Sequence, residues 1–249
     1  MNNADILKIE FERKQLLEKY GLDEESIKTF RKKISNISEE ESQQLGQELF
    51  KLISKKGYSE ENDLDKVIEL IYKGANIEYK NEKKGDYSLL VCSRKNYLKT
   101  FVVLLKAGAN VNQINNYLTT PTMASARHGN KEILELLILM KADVNARCLD
   151  GDNAVMSAKR HNQIECFKML MDAHAYLNNR NLINQTVSDI DSKSDFGILS
   201  LSHSLRQETP EKITFEDAES LLYEASRKME SINGAVLLQS EFQPKTLKK

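Results

Sequence analysis

Apolar residues recur with helical spacing in two neighbouring stretches of the chain, residues 85–112 and 120–145, and both stretches follow the same order. The two align at an offset of 33 residues, which pairs Leu104-Leu105 with Leu137-Ile138, Ala109 with Ala142, and Asn112 with Asn145. A period of this length predicts stacked units rather than one closed core. Each unit must bury its apolar faces against its neighbours.

The second stretch carries the start and stop signals of two short helices. Pro121 suits a first helical turn, where its missing N–H is not needed. Gly129 suits the left-handed residue that ends such a helix. The apolar face of a second helix follows, and it consists of Ile133, Leu134, Leu136 and Leu137.

This pattern resembles the ankyrin repeat, in which Thr-Pro opens the first helix and Gly-Ala-Asp-Val-Asn follows the second. The matching residues are Thr120-Pro121, Gly129, Gly108 to Asn112, and Ala142 to Asn145. The resemblance implies an all-α ankyrin-repeat solenoid of helix-turn-helix units with β-hairpin fingers. It covers residues 62–190, about half of the chain, and it is specific for the fold but nearly silent on the binding target.

Further units are predicted on both sides. Residues 62–77 resemble the second half of a first repeat, whose first half is supplied by the helix before it, with an irregular link at residues 58–61. A fourth unit spans residues 151–178, with Met169 among its core positions, and departs from the pattern at Asn153-Ala154. A fifth unit starts at residue 184 and fades. Together these give four to five units within residues 58–208, the last of them degenerate.

Helical extensions are predicted at both ends. Residues 1–57 contain three amphipathic helices: Gly21 ends the first, Asp23 caps the second, and a capping box at Ser38 opens the third. Residues 209–238 form a C-terminal capping helix that starts at Thr214. Its apolar seam packs on the last repeat or, alternatively, on a second copy in a coiled coil. Residues 239–249 form a polar tail.

Composition narrows the range of functions. Lys and Arg total 36 against 37 Asp and Glu, and this net charge of −1 argues against a general nucleic-acid binder. Because no signal peptide or long apolar stretch is present, we expect a soluble, cytoplasmic protein that contacts no membrane. We also expect a monomer. The odd number of cysteines favours reduced thiols, with Cys92 and Cys166 in core positions.

Catalytic chemistry has little support in the sequence. Cys148, His161, Cys166 and His174 lack the spacing of a zinc site, and His203 has no partner that the sequence identifies. A Gly-rich phosphate loop, an H-E-x-x-H motif and a nucleophile elbow are all missing. We therefore predict a protein that is not an enzyme and needs no cofactor or metal.

Binding residues follow from the resemblance, because ankyrin proteins bind partners on their concave side. The ends of the first helices carry the pairs Arg94-Lys95, Arg127-His128 and Arg160-His161. All are basic, which predicts a cationic ladder for a protein partner with an acidic surface. The alternative is that these cations only complement the helix dipole. The predicted fingertip residues are Lys83, Lys84, Asp86, Asn116, Tyr117, Thr119, Leu149, Asp150 and Asp152.

Tyr117 and Leu149 are the predicted anchors, because apolar side chains at turn tips have no core to serve. Ordinary turn residues that happen to be apolar are the alternative. The sequence therefore predicts a non-enzymatic module for protein–protein interaction. A second hypothesis is a secreted bacterial effector in the host-cell cytoplasm, with a separate activity or docking site in its N-terminal helices.

Overall fold

The computed structural model describes residues 3–177, 179–187 and 190. They belong to one compact unit, Met1–Phe196, whereas a second unit, Gly197–Lys249, lies outside the described residues. The predicted C-terminal helix, the polar tail and most of the degenerate fifth repeat fall in the part that is not described, as does His203.

The described residues form ten helices in two rows. They are α1 (Asn3–Lys19), α2 (Glu24–Arg31), α3 (Glu39–Ser54), α4 (Glu60–Tyr72), α5 (Ser88–Lys95), α6 (Leu98–Ala107), α7 (Pro121–His128), α8 (Lys131–Leu139), α9 (Ala154–Arg160) and α10 (Ile164–Asp172). Helices α3, α5, α7 and α9 pack side by side as an inner row, and α4, α6, α8 and α10 form an outer row. Each inner helix also packs on the outer helix that follows it. This arrangement confirms the predicted all-α solenoid.

Local signals explain where the inner helices begin and end. Thr120 caps α7 by accepting a hydrogen bond from the Met123 N–H at 3.2 Å, and Pro121 occupies the first turn. The residues in the left-handed conformation just after the inner helices are Asn96, Gly129 and Asn162, with φ of 60°, 74° and 57°. Asparagine tolerates this conformation better than most other residues, so two repeats dispense with glycine here.

The core lies between the two rows, where Leu104 and Leu137 are fully buried. Two sequence predictions need correction. Met169 is only partly buried, because Phe167 and Leu170 occupy the buried positions of α10. Helix α4 also begins inside the predicted irregular link, because the Ser59 side chain caps it.

Asparagine and aspartate side chains join consecutive repeats at the loops that follow the outer helices. The Asp143 carboxylate accepts a hydrogen bond from the Asn145 N–H at 2.8 Å and shapes its own loop. Asn145 in turn accepts from the Tyr176 N–H of the next repeat at 2.6 Å, as Asn112 does from the Asp143 N–H at 2.8 Å. The Ala-Asp-Val-Asn motif therefore fixes each loop and links it to its neighbour.

The N-terminal helices lie along the outer row, where α2 packs on α6 and α1 packs on α8. Their contacts reach the C-terminal ends of three outer helices in succession. The donor–acceptor pairs are Ser35 N–H to Tyr72 O at 2.7 Å, Arg31 Nε to Lys106 O at 3.1 Å, and Arg13 Nε to Leu139 O at 2.7 Å. Carbonyls at a helix C-terminus have no intrahelical donor, so these bonds satisfy them.

Candidate functional site

Three short loops precede the inner helices α5, α7 and α9, and a fourth follows α10. They lie side by side, and we call residues 81–86, 115–119, 148–152 and 181–185 the finger loops. A backbone hydrogen bond closes each loop, for example Cys148 N–H to Asp152 O at 2.9 Å. Single bonds join consecutive loops: Asn116 N–H to Lys84 O at 3.0 Å, Leu149 N–H to Tyr117 O at 3.0 Å, and Leu182 N–H to Asp150 O at 2.9 Å. Each finger loop is thus a tight turn that is hydrogen-bonded to the next one. No strand occurs among the described residues.

Apolar side chains project from three consecutive finger loops. Tyr117 and Leu149, the predicted anchors, are 51% and 52% exposed, and Leu182 is 77% exposed. We define the fingertip row as Tyr117, Leu118, Leu149, Leu182 and Ile183, all of them exposed. Sequence reasoning missed the last loop, although Leu182 lies 33 residues after Leu149 and could have been found from the repeat register.

The basic helix ends come close enough to influence one another. Burial is the main cause that lowers the pKa of His128 below its ordinary value, followed by the nearby charges of Arg127, Arg94, His161 and Lys95. Basic side chains from all three repeats therefore lie in one region beside the finger loops. We call Arg94, Lys95, Arg127 and Arg160 the helix-end cations.

Two of the three predicted ladder arginines already have acidic partners. Arg94 pairs with Asp86 at 3.1 Å, and Asn115 of the next finger loop donates to the same carboxylate at 2.8 Å. Asp86 is only 6% exposed, so it lies beneath the finger surface and holds Arg94 in place. The same cluster recurs two repeats later, where Asp152 accepts from Arg160 at 2.9 Å and from Asn181 at 2.8 Å.

Arg127, in the middle repeat, has no such partner. The residue equivalent to Asp86 and Asp152 is Thr119, and Arg127 forms no ion pair with any residue that the structure describes. Its side chain is exposed. The predicted ladder is therefore uneven. Arg94 and Arg160 each have an acidic partner, and Arg127 between them has none among the described residues.

The other predicted binding residues are mostly at the surface. Lys83, Lys84, Lys95, Asn116 and Asp150 are exposed, and Thr119 is partly buried. The ring of His161 bonds through Nδ1 to the Ser157 carbonyl at 2.9 Å and is half-buried.

The cysteines are free thiols in two different settings. Cys92 and Cys166 are buried, and burial raises the pKa of Cys166 to about 11 and that of Cys92 well above its ordinary value. Both therefore serve as small core residues that stay protonated near neutral pH. Cys148 lies in a finger loop and is half-buried. Within the described ranges, no group of His, Cys, Asp and Glu is arranged to hold a metal ion.

The two rows of paired helices, with finger loops and helix ends along one side, define a helical-repeat solenoid. A family model described as ankyrin repeats (3 copies) matches residues 57–148 and 89–181, which together span half of the chain. The chain belongs to the ankyrin-repeat family. None of the helices in the described ranges has the length and apolar character needed to cross a membrane.

Three relatives support this assignment. The chain is 31% identical over 112 residues to the ankyrin repeat protein FPV244 of fowlpox virus, covering 44% of this chain and 17% of that one. It is 30% identical over 108 residues to the ankyrin repeat and KH domain-containing protein mask-1 of Caenorhabditis elegans, covering 43% and 4%. Inversin of Gallus gallus is 25% identical over 109 residues, covering 44% and 10%. The chain thus spans less than a fifth of the length of each relative.

Proposed function

We propose that this protein is a non-enzymatic interaction module that binds a protein partner along the finger loops and the adjacent helix ends. The observation that carries the proposal is the fingertip row, because apolar side chains of three consecutive loops are exposed together. Contiguous apolar residues with a polar rim are typical of protein–protein contact sites.

The loops are well suited to pre-organised binding. Each is closed by its own backbone bond and joined to the next loop by another, so that ordering on binding costs little. Tyr117 and Leu149 are adjacent through the bond between their backbones, and a tyrosine anchor offers a large contact area with few rotatable bonds. An extended partner segment fits such a row.

The charge of the surface favours an acidic partner. Lys83 and Lys84 extend from the first finger loop, and the helix-end cations lie beside the others. Complementary charge speeds association more than it strengthens binding. We therefore expect association to slow as salt shortens the Debye length below about 10 Å.

A peptide-display selection on the full chain tests this proposal. The wild type is expected to enrich short peptides with apolar residues, and the double variant Tyr117→Ser/Leu149→Ser is expected to enrich none of them. Phe11→Ser is the matched control, because Phe11 is 60% exposed on α1 and away from the finger loops. Enrichment that survives the double variant, or that Phe11→Ser abolishes, would place binding elsewhere.

The effector hypothesis assigned a separate activity or docking site to the N-terminal helices. In the structure, the described contacts of α1 and α2 are with the outer row and include the ends of α6 and α8. These contacts give both helices a structural role. The effector hypothesis remains a prediction from the sequence. A cytoplasmic location and a monomeric state remain predictions from the sequence.

A further inference from the structure

The middle finger loop and its neighbour differ from the equivalent loops at three positions. Leu118 has a φ of 55°, where the equivalent residues are Gly85, Gly151 and Asn184. Thr119 is equivalent to Asp86 in the preceding finger loop and to Asp152 in the following one. Cys148, in the next loop, is equivalent to Asn115 and Asn181. A leucine in the left-handed region is strained, and such residues cluster at functional sites.

Because of Thr119 and Cys148, the middle repeat lacks the cluster of aspartate, arginine and asparagine that the flanking repeats contain. In the flanking repeats, an aspartate holds the arginine eight residues later, and an asparagine from the next loop donates to that aspartate. In the middle repeat neither the aspartate nor the asparagine is present. Arg127, eight residues after Thr119, therefore keeps its full positive charge at the surface.

We propose that Arg127 is the position at which this surface recognises charge, and that its guanidinium binds a Glu or Asp carboxylate of an extended protein segment whose apolar residues contact Tyr117 and Leu149. This inference rests on the proposed function. The carboxylate of the partner supplies, from the solvent side, the negative charge that Asp86 and Asp152 supply in the neighbouring repeats. A guanidinium can donate two parallel hydrogen bonds to a carboxylate, which fixes the register of the bound segment.

A single carboxylate fits this place better than a more highly charged group. Arg94 and Arg160 are already neutralised by their own aspartates. Partial burial and the surrounding positive charges lower the pKa of His128, which weakens its own contribution to the positive charge. Among the residues that the structure describes, Arg127 has no ion-pair partner, whereas Arg94 and Arg160 each have one. One negative charge balances Arg127.

The test is the same display selection, read for the acidic content of the enriched peptides. Thr119→Asp/Cys148→Asn rebuilds the internal cluster around Arg127, and Arg127→Gln removes the charge while leaving the finger loops unchanged. Lys99→Gln is the matched control, because it alters the net charge equally on the exposed side of α6 in the outer row. Circular dichroism and the thermal midpoint establish that each variant is folded.

The wild type and Lys99→Gln are expected to enrich peptides with Glu or Asp at a constant spacing from the apolar residues. Thr119→Asp/Cys148→Asn and Arg127→Gln are expected to enrich apolar peptides without this acidic preference. A synthesised wild-type-selected peptide should bind Arg127→Gln about 10- to 100-fold more weakly, as expected for loss of a charged hydrogen bond. If the rebuilt cluster prevents folding, Arg127→Gln decides the question.

Two results would overturn the inference in distinguishable ways. An unchanged acidic preference in Arg127→Gln would remove the role of Arg127 and leave the proposed function standing. A wild type that enriches no peptide, or peptides that still bind Tyr117→Ser/Leu149→Ser, would remove the proposed function and this inference with it.

Discussion

His128 shows how a repeated residue type creates an unusual local environment. It ends α7 and lies among basic side chains from three neighbouring inner helices, α5, α7 and α9, or from the residue just after them. Burial and these charges lower the pKa of its imidazole below the ordinary value of 6.5. The folded protein therefore resists protonation of this side chain more than the unfolded chain does.

This difference predicts a pH dependence of stability. Because the folded pKa is the lower one, the contribution of His128 is complete above about pH 6.5 and is lost as the pH falls through the folded pKa. Urea unfolding between neutral pH and pH 5 measures it, with His128→Gln as the variant that lacks the group. The wild type should lose stability more steeply than the variant over this range, and parallel curves would contradict the prediction.

Individual residues also mark the limit of reasoning from sequence. The basic pairs at the helix ends were visible because they recur with the repeat. The ion pairs of Arg94 and Arg160 were not predicted, because Asp86 and Asp152 were assigned to the exposed fingertips. Each aspartate also accepts a hydrogen bond from an asparagine of the following loop, a contact that only the stacking of the repeats creates.

At the scale of the helix, equivalent inner helices use different capping residues. Tyr87 provides no side-chain cap for α5, Thr120 caps α7, and Asn153 caps α9 while also donating to the Tyr176 carbonyl at 2.9 Å. The substitution of Thr-Pro by Asn153-Ala154 therefore preserves the helix start. It also adds a hydrogen bond to the following loop.

Substitution of Asn153 should separate these two contributions. Asn153→Thr keeps a capping oxygen, as Thr120 does for α7, and loses the amide donor, whereas Asn153→Ala loses both. Loss of a cap typically costs about 1 kcal/mol, and loss of a hydrogen bond to a partly buried carbonyl adds about 0.5 to 1.5 kcal/mol. Chemical denaturation should rank the wild type above Asn153→Thr and Asn153→Ala last. Equal stability of Asn153→Ala and the wild type would mean that neither bond matters.

The periodicity of apolar residues, Gly and Pro was sufficient to place the helices of the repeats, because each helix start and stop depends on nearby residues. It could not place α1 and α2 on the outer row. Arg13 and its acceptor at Leu139 are 126 residues apart, and no pattern within either segment indicates the other. Packing between distant segments depends on the completed surface of the repeats.

The molecule as a whole depends on contacts between neighbouring repeats. Truncation after Asn112 keeps α1 to α6 but removes the helices that cover α5 and α6, and it also removes the partner of α1 on α8. We expect the thermal midpoint to fall by more than about 10 °C, because each 1 kcal/mol lost shifts a domain of this size by roughly 2 to 4 °C and several contacts between repeats are lost. Truncation after Phe196 retains every described helix and serves as the reference. Equal midpoints would contradict interdependent repeats.

The position of the N-terminal helices has a consequence for the order of events during synthesis. Helix α1 leaves the ribosome before the other described helices, but its partner Leu139 is made 126 residues after Arg13, or about 6 to 25 s later at typical elongation rates. Helix α2 reaches its partner on α6 sooner, because Arg31 and Lys106 are 75 residues apart. During synthesis, α2 can therefore dock on the repeats before α1 does. Docking of α1 occurs only on a chain that already contains α8.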